Sequence, residues 1–462
     1  MRILFVWLFI PVTVWSQPSL VIRHITVIDV VKGVSRANQV VRISGNKIVA
    51  VRADGGGGVL VGKVEDSARV IDGSGKYLIP GLWDMHYHSA GVEMSRNAII
   101  PLMLVNGITG MRLMWGDRDE VRLRDSIARG WVVGPRMVVG SPLIDDPIGP
   151  WHGDLVQVDN KERVPVIIDS LQALGYDFMK TYEFLNREVY FAIARYCAEK
   201  HIDFAGHVPV SVTVEEASQA GMRSIEHLTG VTKAFSPNED SLNGVMTAAA
   251  ARMRSFQDFG IVFFENENFT TPFDEQKAAE VAEKLRSNRT AVVPTLSIYH
   301  ALPYNGDELN TRPELAVVSK GTRDYWYQAV AKGKSEPGYF EREKKNLLLL
   351  YRHGVLIMAG TDALNPYVVH GYSLHNELEW YVEAGMPVLA ALQTATINPS
   401  IFLHREKLLG TVEKGKLADL VILNTDPLKD IRNTRDIFAV ITNGKLIDRG
   451  GLDELLRNVK DY

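Results

Sequence analysis

The 462-residue sequence has little cysteine, and no long hydrophobic run after its first sixteen residues. The only cysteine, Cys197, excludes an intrachain disulfide and any metal site built from several thiolates. A metal ion would therefore need nitrogen and oxygen ligands. The chain also lacks an excess of positive charge, because 51 lysines and arginines stand against 55 acidic residues and give a net charge of −4. This balance disfavours a nucleic-acid partner.

The composition is otherwise that of an ordinary globular protein. Hydrophobic residues make up 46% of the chain and charged residues 23%, which excludes a disordered, collagen-like or coiled-coil protein. The length leaves the number of domains open, because domains average about 150 residues but a single barrel with insertions can exceed roughly 400.

The first sixteen residues are typical of a secretory signal peptide. A cation at Arg2 precedes an apolar stretch from Ile3 to Trp15, and the small residue Ser16 follows it. The stretch is shorter than the roughly 20 residues that span a bilayer, and no later segment is long and apolar enough. We expect cleavage before Gln17 and an exported protein, periplasmic or secreted, without stable membrane insertion. A buried first strand is the alternative.

The two ends of the chain differ in pattern from its middle. Short β-branched runs separated by turn signals fill residues 20–72 and return near the C-terminus, so both ends are predicted to be all-β. Between them, eight apolar runs alternate with helical stretches, which predicts an α/β fold with a (β/α)8 TIM barrel. The longest connection predicts an insertion at residues 229–290, on the catalytic rim. The predicted domains are a signal peptide at 1–16, a discontinuous β domain at 17–80 and 405–462, and a barrel at 81–404.

Two histidines at the end of the first barrel run are the strongest local signal. His86 and His88 are two residues apart, and such residues face the same way on a strand, so both imidazoles could reach one metal ion. A pair of this kind also arises by chance, so a metal site requires further ligands.

Lys180, in the fourth run, supplies the next signal. Strand alternation places it on the face that a barrel buries, where an unpaired ammonium group is costly. A desolvated lysine has a lowered pKa, and its neutral amine can add carbon dioxide to form a carbamate, which is a bridging carboxylate. The fifth, sixth and eighth runs are followed by or end in His207, His227 and Asp362. All six residues therefore fall at the carboxyl ends of barrel strands, where barrel active sites lie.

These motifs resemble the amidohydrolase superfamily, in particular its binuclear branch of imidazolonepropionase-related hydrolases and prolidase-like dipeptidases. The resemblance covers almost the whole mature chain and includes PGLWDMHYH, DFMKTY, GHVPV, SIEHL, AGTDA and GTVEKGKLADLVIL. It implies that the terminal strands form a small β-sandwich beside the barrel. It also implies two divalent metal ions. Zinc is the expected metal, although the ligand types suit manganese, cobalt or iron as well.

The resemblance assigns a role to each of the six residues. His86, His88 and Asp362 would hold one metal ion, His207 and His227 the other, and carbamylated Lys180 and a hydroxide would bridge both. Asp362 would accept a proton from the attacking hydroxide and deliver it to the leaving amine. His152 lies where dipeptidase-like relatives often carry a histidine, so it could bind substrate; an exposed loop histidine is the alternative.

Two positions depart from the family pattern. Mononuclear deaminases of the superfamily usually carry a glutamate three residues after the fifth-strand histidine, where this chain has Val210, and this disfavours deamination. Many relatives have glycine after the sixth-strand histidine, where this chain has Leu228. Substrate contacts at that point therefore cannot be copied from relatives.

The sequence thus predicts a metal-dependent enzyme that hydrolyses an amide bond in a small molecule. The first hypothesis for the substrate is a dipeptide, Xaa-Pro-like, or an N-acyl amino acid. A cyclic amide or lactone would use the same chemistry, and a noncatalytic binding protein on a degenerate barrel is the alternative from another class. The sequence leaves the oligomeric state open, including a homo-oligomer.

Overall fold

The computed structural model describes residues 19–55, 68–149, 155–253, 272–301, 309–332, 338–459 and 462. The predicted signal peptide, residues 1–16, and the candidate substrate residue His152 lie outside these ranges. No helix within them has both the length and the apolar character that crossing a membrane requires.

The strands fall into two sheets. In chain order they are β1 (Leu20–Asp29), β2 (Val34–Ser44), β3 (Lys47–Ala53), β4 (Arg69–Asp72), β5 (Tyr77–Pro80), β6 (Leu82–Tyr87), β7 (Ile108–Leu113), β8 (Arg136–Asp145), β9 (Val156–Gln157), β10 (Phe178–Thr181), β11 (Phe204–Gly206), β12 (Ser224–Glu226), β13 (Ala291–Val293), β14 (Leu420–Leu423), β15 (Ile437–Thr442) and β16 (Lys445–Ile447).

Helices connect most of the barrel strands. The α-helices are α1 (Val92–Met94), α2 (Ile100–Val105), α3 (Arg118–Ala128), α4 (Val164–Ala173), α5 (Arg187–Lys200), α6 (Val214–Gln219), α7 (Val231–Ala234), α8 (Glu239–Ala250), α9 (Glu275–Asn288), α10 (Leu296–Ala301), α11 (Lys320–Lys332), α12 (Tyr339–Arg352), α13 (Tyr372–Glu383), α14 (Val388–Thr394), α15 (Ile397–Phe402) and α16 (Arg449–Arg457). A π-helix spans Ser95–Ile99, and 3-10 turns span Lys161–Arg163, Pro313–Val317 and Ile431–Arg435.

The strands of the two chain ends form one mixed sheet in the order β16-β15-β14-β5-β1-β2-β3, with β4 also paired to β1. Residues from both flanks, such as Ile43 of β2 and Ile422 of β14, share one hydrophobic core. The start of β3 bonds to the segment before β14, where Ile48 N donates to the Lys416 carbonyl at 2.8 Å. The sheet therefore folds over its own core, as a sandwich does, although its hydrogen bonding is continuous. The domain boundaries at residues 80 and 405 remain predictions.

The middle of the chain forms a nearly closed barrel of seven parallel strands, in the order β13-β12-β11-β10-β8-β7-β6. Trp83, Val138, Phe178 and Val293 are among the apolar side chains that pack together in a core cluster from four of these strands. The predicted α/β fold with a barrel and a separate β-sheet is confirmed. The first predicted run is divided, since its YLIP portion forms β5 in the terminal sheet and the rest forms β6.

The eighth predicted run, residues 355–363, lies between β13 and β6 but forms no regular strand. Met358 N donates to the Val292 carbonyl on one side, and Met85 N donates to the Ala359 carbonyl on the other, both at 2.9 Å. Pairing is limited to isolated bridges. Gly360 packs so closely that an added Cβ would lie 2.8 Å from His86 N, and directly after it Thr361 N and Asp362 N both donate to the His86 carbonyl. This segment closes the barrel and carries Asp362.

The predicted insertion at 229–290 contains α7, α8 and α9 in its described part. The connection between β13 and the closing segment, residues 294–354, is of similar length and contains α10, α11 and α12, which the sequence analysis did not single out. Both connections leave the carboxyl ends of barrel strands, so both belong to the rim where barrel active sites lie.

One glycine inside the barrel gives a test of this packing. Gly110 of β7 lies against Trp83, and a Cβ at position 110 would be 2.1 Å from the indole ring. We expect Gly110→Ala to lower the free energy of unfolding by about 1–3 kcal/mol or more, because overpacking forces the ring to move. The matched control is Gly244→Ala in α8, where an added methyl meets no described atom within 4 Å and should be neutral or stabilising. Denaturant unfolding measures both; equal stability of the two variants would contradict the described packing.

Candidate metal centre

The structure brings the six predicted ligands to one end of the barrel. They lie at or just after the carboxyl ends of their strands: His86 in β6, His88 after it, Lys180 in β10, His207 after β11, His227 after β12 and Asp362 in the closing segment. Ligand atoms of His86, His227 and Asp362 all lie within 4.8 Å of one another, and all three side chains are buried. This spacing suits a single metal ion.

His88 and His207 extend the cluster on either side. His88 Nε2 lies 2.9 Å from Asp362 Oδ1 and 3.3 Å from His86 Nε2. The His207 ring is 4.7 Å from the His227 ring, measured between centroids. The two groups that the sequence analysis assigned to separate metal ions are therefore neighbours.

A bulge in β6 sets the direction of its histidines. Asp84 pairs with Met111 and Tyr87 pairs with Leu113, so β6 carries one residue more than β7 over this stretch. Such bulges change the direction of side chains and are common beside active sites. The prediction that His86 and His88 share a face assumed a regular strand, whereas His88 lies one residue beyond the strand end. Both rings nevertheless reach Asp362.

Left-handed backbone turns aim two of the ligands. His227 has φ = 59° and Asp362 has φ = 61°, values that side-chain-bearing residues rarely adopt. On β12 the side chain of Glu226 points into the barrel, so regular alternation would send His227 outward. The left-handed turn at His227 instead brings its ring to the cluster. Backbone strain of this kind often collects at functional sites.

Lys180 is fully buried in the barrel interior. Among the described residues its Nζ has no hydrogen-bond partner. Burial lowers the pKa of this amine to about 8, so a substantial fraction is neutral near physiological pH. Gly206 on the adjacent strand leaves space for the Lys180 side chain, since a Cβ at position 206 would lie 3.0 Å from Lys180 Cδ.

The sequence analysis did not identify the groups that hold the histidine rings. His86 Nδ1 is 2.8 Å from Glu226 Oε2, His207 Nδ1 is 3.0 Å from Glu183 Oε1, and His227 Nδ1 is 2.7 Å from Thr295 Oγ1. Such partners orient a metal-binding imidazole and direct Nε2 to the ion. Burial lowers the pKa of His227 to about 3, so this ring is neutral at pH 7, as a metal ligand must be.

A buried ion pair lies behind His86. Arg112 Nη2 donates to Glu226 Oε1 at 2.8 Å and to Oε2 at 3.0 Å, and Arg112 Nε donates to the Met85 carbonyl at 2.7 Å. Burial acts to raise the pKa of Glu226, but the charge of Arg112 and the hydrogen bond to His86 outweigh it and lower that pKa. A signal for this pair was present, because Arg112 and Glu226 are charges inside predicted buried strands and each needs a partner.

Two further histidines near the cluster have structural partners. His370 Nε2 lies 2.8 Å from the His88 carbonyl, and its Nδ1 lies 2.8 Å from the Tyr462 hydroxyl. His375 lies between Thr434 Oγ1 and the Asn106 carbonyl, at 2.9 and 3.1 Å. His370 therefore supports the backbone of a predicted ligand, and His375 packs α13 against the rest of the protein.

Comparison with solved structures identifies proteins of the same fold. A bottromycin amidohydrolase is 22% identical, with a TM-score of 0.71 over 95% of this chain and 88% of that chain. A Xaa-Pro dipeptidase with methionine in its active site is also 22% identical, with a TM-score of 0.64 over 93% of this chain and all of that chain.

Among curated proteins, an adenine deaminase from Desulforamulus reducens is 20% identical over 441 residues, and the match spans 94% of this chain but only 58% of the deaminase. A 5-methylthioadenosine/S-adenosylhomocysteine deaminase from Thermoanaerobacter pseudethanolicus is 31% identical over 117 residues, which are 21% of this chain and 27% of that protein. The sequence profile of the amidohydrolase family matches residues 77–447, which include every described residue of the cluster. The chain therefore belongs to the amidohydrolase family, as its sequence motifs predicted.

Proposed function

We propose that the chain is an exported, metal-dependent enzyme that hydrolyses an amide bond of a dipeptide, Xaa-Pro-like, or of an N-acyl amino acid. The observation that carries the proposal is the buried amine of Lys180, which has no hydrogen-bond partner among the described residues and lies on a barrel face with imidazole and carboxylate ligands. An ordinary core would not bury such a group unpaired. Conversion to a carbamate would give it a function.

The residues present fit two divalent metal ions, most simply zinc. His86, His88 and Asp362 would hold one, His207 and His227 the other, and carbamylated Lys180 would contact both. Neutral imidazoles and carboxylates are suitable ligands for zinc and for similar divalent ions. When bound, these ions would lower the pKa of a water molecule and polarise the scissile carbonyl.

In the proposed mechanism, Asp362 would move the protons. Its Oδ1 faces His86 and His88, and its Oδ2 accepts a hydrogen bond from Asn365 Nδ2 at 2.7 Å. The carboxylate would accept the proton of the attacking water. It would then deliver this proton to the nitrogen of the leaving amine as the carbon–nitrogen bond breaks, since a general base in one step serves as the acid in the next.

The choice of an amide substrate over a nucleobase rests on position 210. Val210 is buried in an apolar cluster with Phe184 and Met246, so the position offers no carboxylate, and these apolar neighbours would disfavour one. The similar structures are named for a dipeptidase and an amidohydrolase, whereas the curated relatives are named as deaminases, so the comparisons leave this choice to position 210. Cyclic amides and lactones remain the alternative substrates because the same metal ligands would serve the hydrolysis of all these compounds.

A substrate panel with purified, metal-analysed protein tests the proposal. The panel contains Xaa-Pro and other dipeptides, N-acyl amino acids, cyclic amides, lactones and adenine nucleobases and nucleosides. Hydrolysis of the first two groups at kcat/KM above about 10⁴ M⁻¹s⁻¹, a value ordinary for enzymes, would support it. Activity confined to the purines would overturn the choice of substrate, and protein that binds no divalent metal would overturn the mechanism.

We expect Asp362→Asn to lower kcat by at least about 10²- to 10⁴-fold, because asparagine can offer a carbonyl oxygen to a metal ion but cannot accept the proton. Steady-state kinetics together with elemental analysis of the variant measures the effect. The control is Asp448→Asn, since asparagine also serves as the N-cap that Asp448 provides to α16. Near-native turnover of the Asp362 variant would show that another group moves the proton.

We expect Lys180→Ala to reduce metal content and nearly abolish activity, because the bridging carbamate is lost. Short carboxylic acids added to this variant should restore part of both. Wild-type protein prepared without carbon dioxide should take up metal poorly until bicarbonate is supplied. Lys320→Ala is the control, since that lysine is exposed and its loss should change stability by no more than about 0.5 kcal/mol. An unmodified Lys180 in metal-loaded wild-type protein, seen by mass spectrometry of the native state, would contradict the carbamate.

A further inference from the structure

A carboxylate that takes no part in the proposed proton transfer lies directly behind His86. Glu226 is fully buried, and its Oε2 is 2.8 Å from His86 Nδ1. On its other side, Arg112 Nη2 contacts both carboxylate oxygens, and Ser224 Oγ donates to Oε1. Arg112 is also fully buried and bonds to the Met85 carbonyl, one residue before His86. Glu226 therefore contacts the His86 ring, and Arg112 contacts the backbone directly before it.

The hydrogen-bonding capacity of these groups determines where His86 carries its proton. An ionised carboxylate only accepts hydrogen bonds, and an arginine only donates them. The His86 nitrogen that faces Glu226 must therefore carry hydrogen. In a neutral imidazole with hydrogen on Nδ1, the lone pair is on Nε2. On the side of the cluster, Nε2 lies 3.3 Å from His88 Nε2, which can donate to its lone pair. Asp362 Oδ1 is 3.2 Å from Nε2 but accepts no hydrogen bond among the described residues.

We propose that Arg112 and Glu226 are positioning residues that fix the tautomer of His86, with hydrogen on Nδ1 and the lone pair of Nε2 directed to the metal centre. Arg112 orients the carboxylate, and the carboxylate orients the ring. The metal-binding part of this inference rests on the proposed function, whereas the tautomer is a property of the metal-free protein as well.

Replacing the Glu226 carboxylate with an amide should move the His86 ring proton from Nδ1 to Nε2. In Glu226→Gln, the guanidinium of Arg112 can bond to the amide oxygen but not to the amide NH2 group. The oxygen therefore turns to Arg112, and the NH2 group turns to His86. Because NH2 donates, His86 Nδ1 must now accept, and the ring proton moves to Nε2. An Nε2 that carries hydrogen has no lone pair for a metal ion.

The tautomer can be observed by NMR of metal-free protein labelled with ¹⁵N-histidine, with the His86 signals assigned by their loss in His86→Asn. We expect the ring proton on Nδ1 in the wild type and on Nε2 in Glu226→Gln. The control is Glu120→Gln, another buried glutamate, whose carboxylate accepts from Ser95 Oγ at 2.7 Å and contacts no site histidine. It should leave the His86 tautomer unchanged. An unchanged tautomer in Glu226→Gln would overturn the proposal.

Zinc titration of the metal-free proteins supplies the second measurement. Loss of a group that orients a metal ligand typically weakens metal affinity by about 10- to 100-fold. We expect a loss in this range for Glu226→Gln and none for Glu120→Gln. Wild-type protein with hydrogen on Nδ1 that binds no zinc would overturn the proposed function and support this tautomer. Full zinc affinity in Glu226→Gln would overturn the positioning role.

The double variant Arg112→Met/Glu226→Gln tests the part played by Arg112 and guards against a misfolded single variant. It buries no net charge, so it is the variant of this pair best able to fold. Without the guanidinium, the amide oxygen is free to face His86, so the proton should return at least in part to Nδ1, and zinc should bind more tightly than to Glu226→Gln. A ring that keeps its proton entirely on Nε2 in the double variant would contradict the orienting role of Arg112.

Discussion

The buried ion pair of Arg112 and Glu226 is the interaction on which the arrangement of the barrel interior depends. Two charges withdrawn from water stabilise each other only when their geometry is good and their remaining hydrogen-bonding groups are satisfied. Here Arg112 reaches Glu226, Ser224 and the Met85 carbonyl, while Glu226 also reaches His86. Removal of one partner of such a pair typically costs about 3–5 kcal/mol, because the other charge remains buried. The pair joins β7, β12 and β6 at the level of the metal ligands.

The fold produces the cluster by departing from regular strand geometry at three of the six ligands. A bulge turns His86 in β6, left-handed residues turn His227 and Asp362, and Thr361 N and Asp362 N of the closing segment both bond to the His86 carbonyl. Each departure is energetically costly, at about 1–3 kcal/mol for an unusual backbone conformation. Regular strands alone would send only alternate side chains inward. The irregularities allow adjacent positions, such as Glu226 and His227, both to serve the centre.

The sequence was sufficient to predict the barrel and the residues that meet at its carboxyl end. Period-two alternation and the positions of histidines after apolar runs are local signals, and His86, Lys180 and Asp362 were found from them. The ion pair was missed because its members are 114 residues apart and pairing of that kind is set by strand order. The irregular closing segment was missed because VLIMAGTDA has the composition of a strand. Its pairing is irregular because Thr361 N and Asp362 N share the His86 carbonyl, a contact between distant parts of the chain that no local pattern contains.

The insertion after β12 packs against the barrel at position 210, the position on which the proposed choice of substrate rests. Its helix α8 supplies Met246 and Ala250 to the apolar cluster that buries Val210, and Thr247 Oγ1 donates to the Val210 carbonyl at 3.3 Å. Val210 follows the predicted ligand His207 by three residues, and Phe184, in the same cluster, follows Lys180 by four. The insertion therefore forms part of the wall beside two proposed ligands without contributing a ligand itself. A carboxylate at position 210 would be buried against this apolar cluster and would be costly there. The packing of the insertion thus disfavours a glutamate at position 210, so introducing one would require α8 to repack along with the substitution.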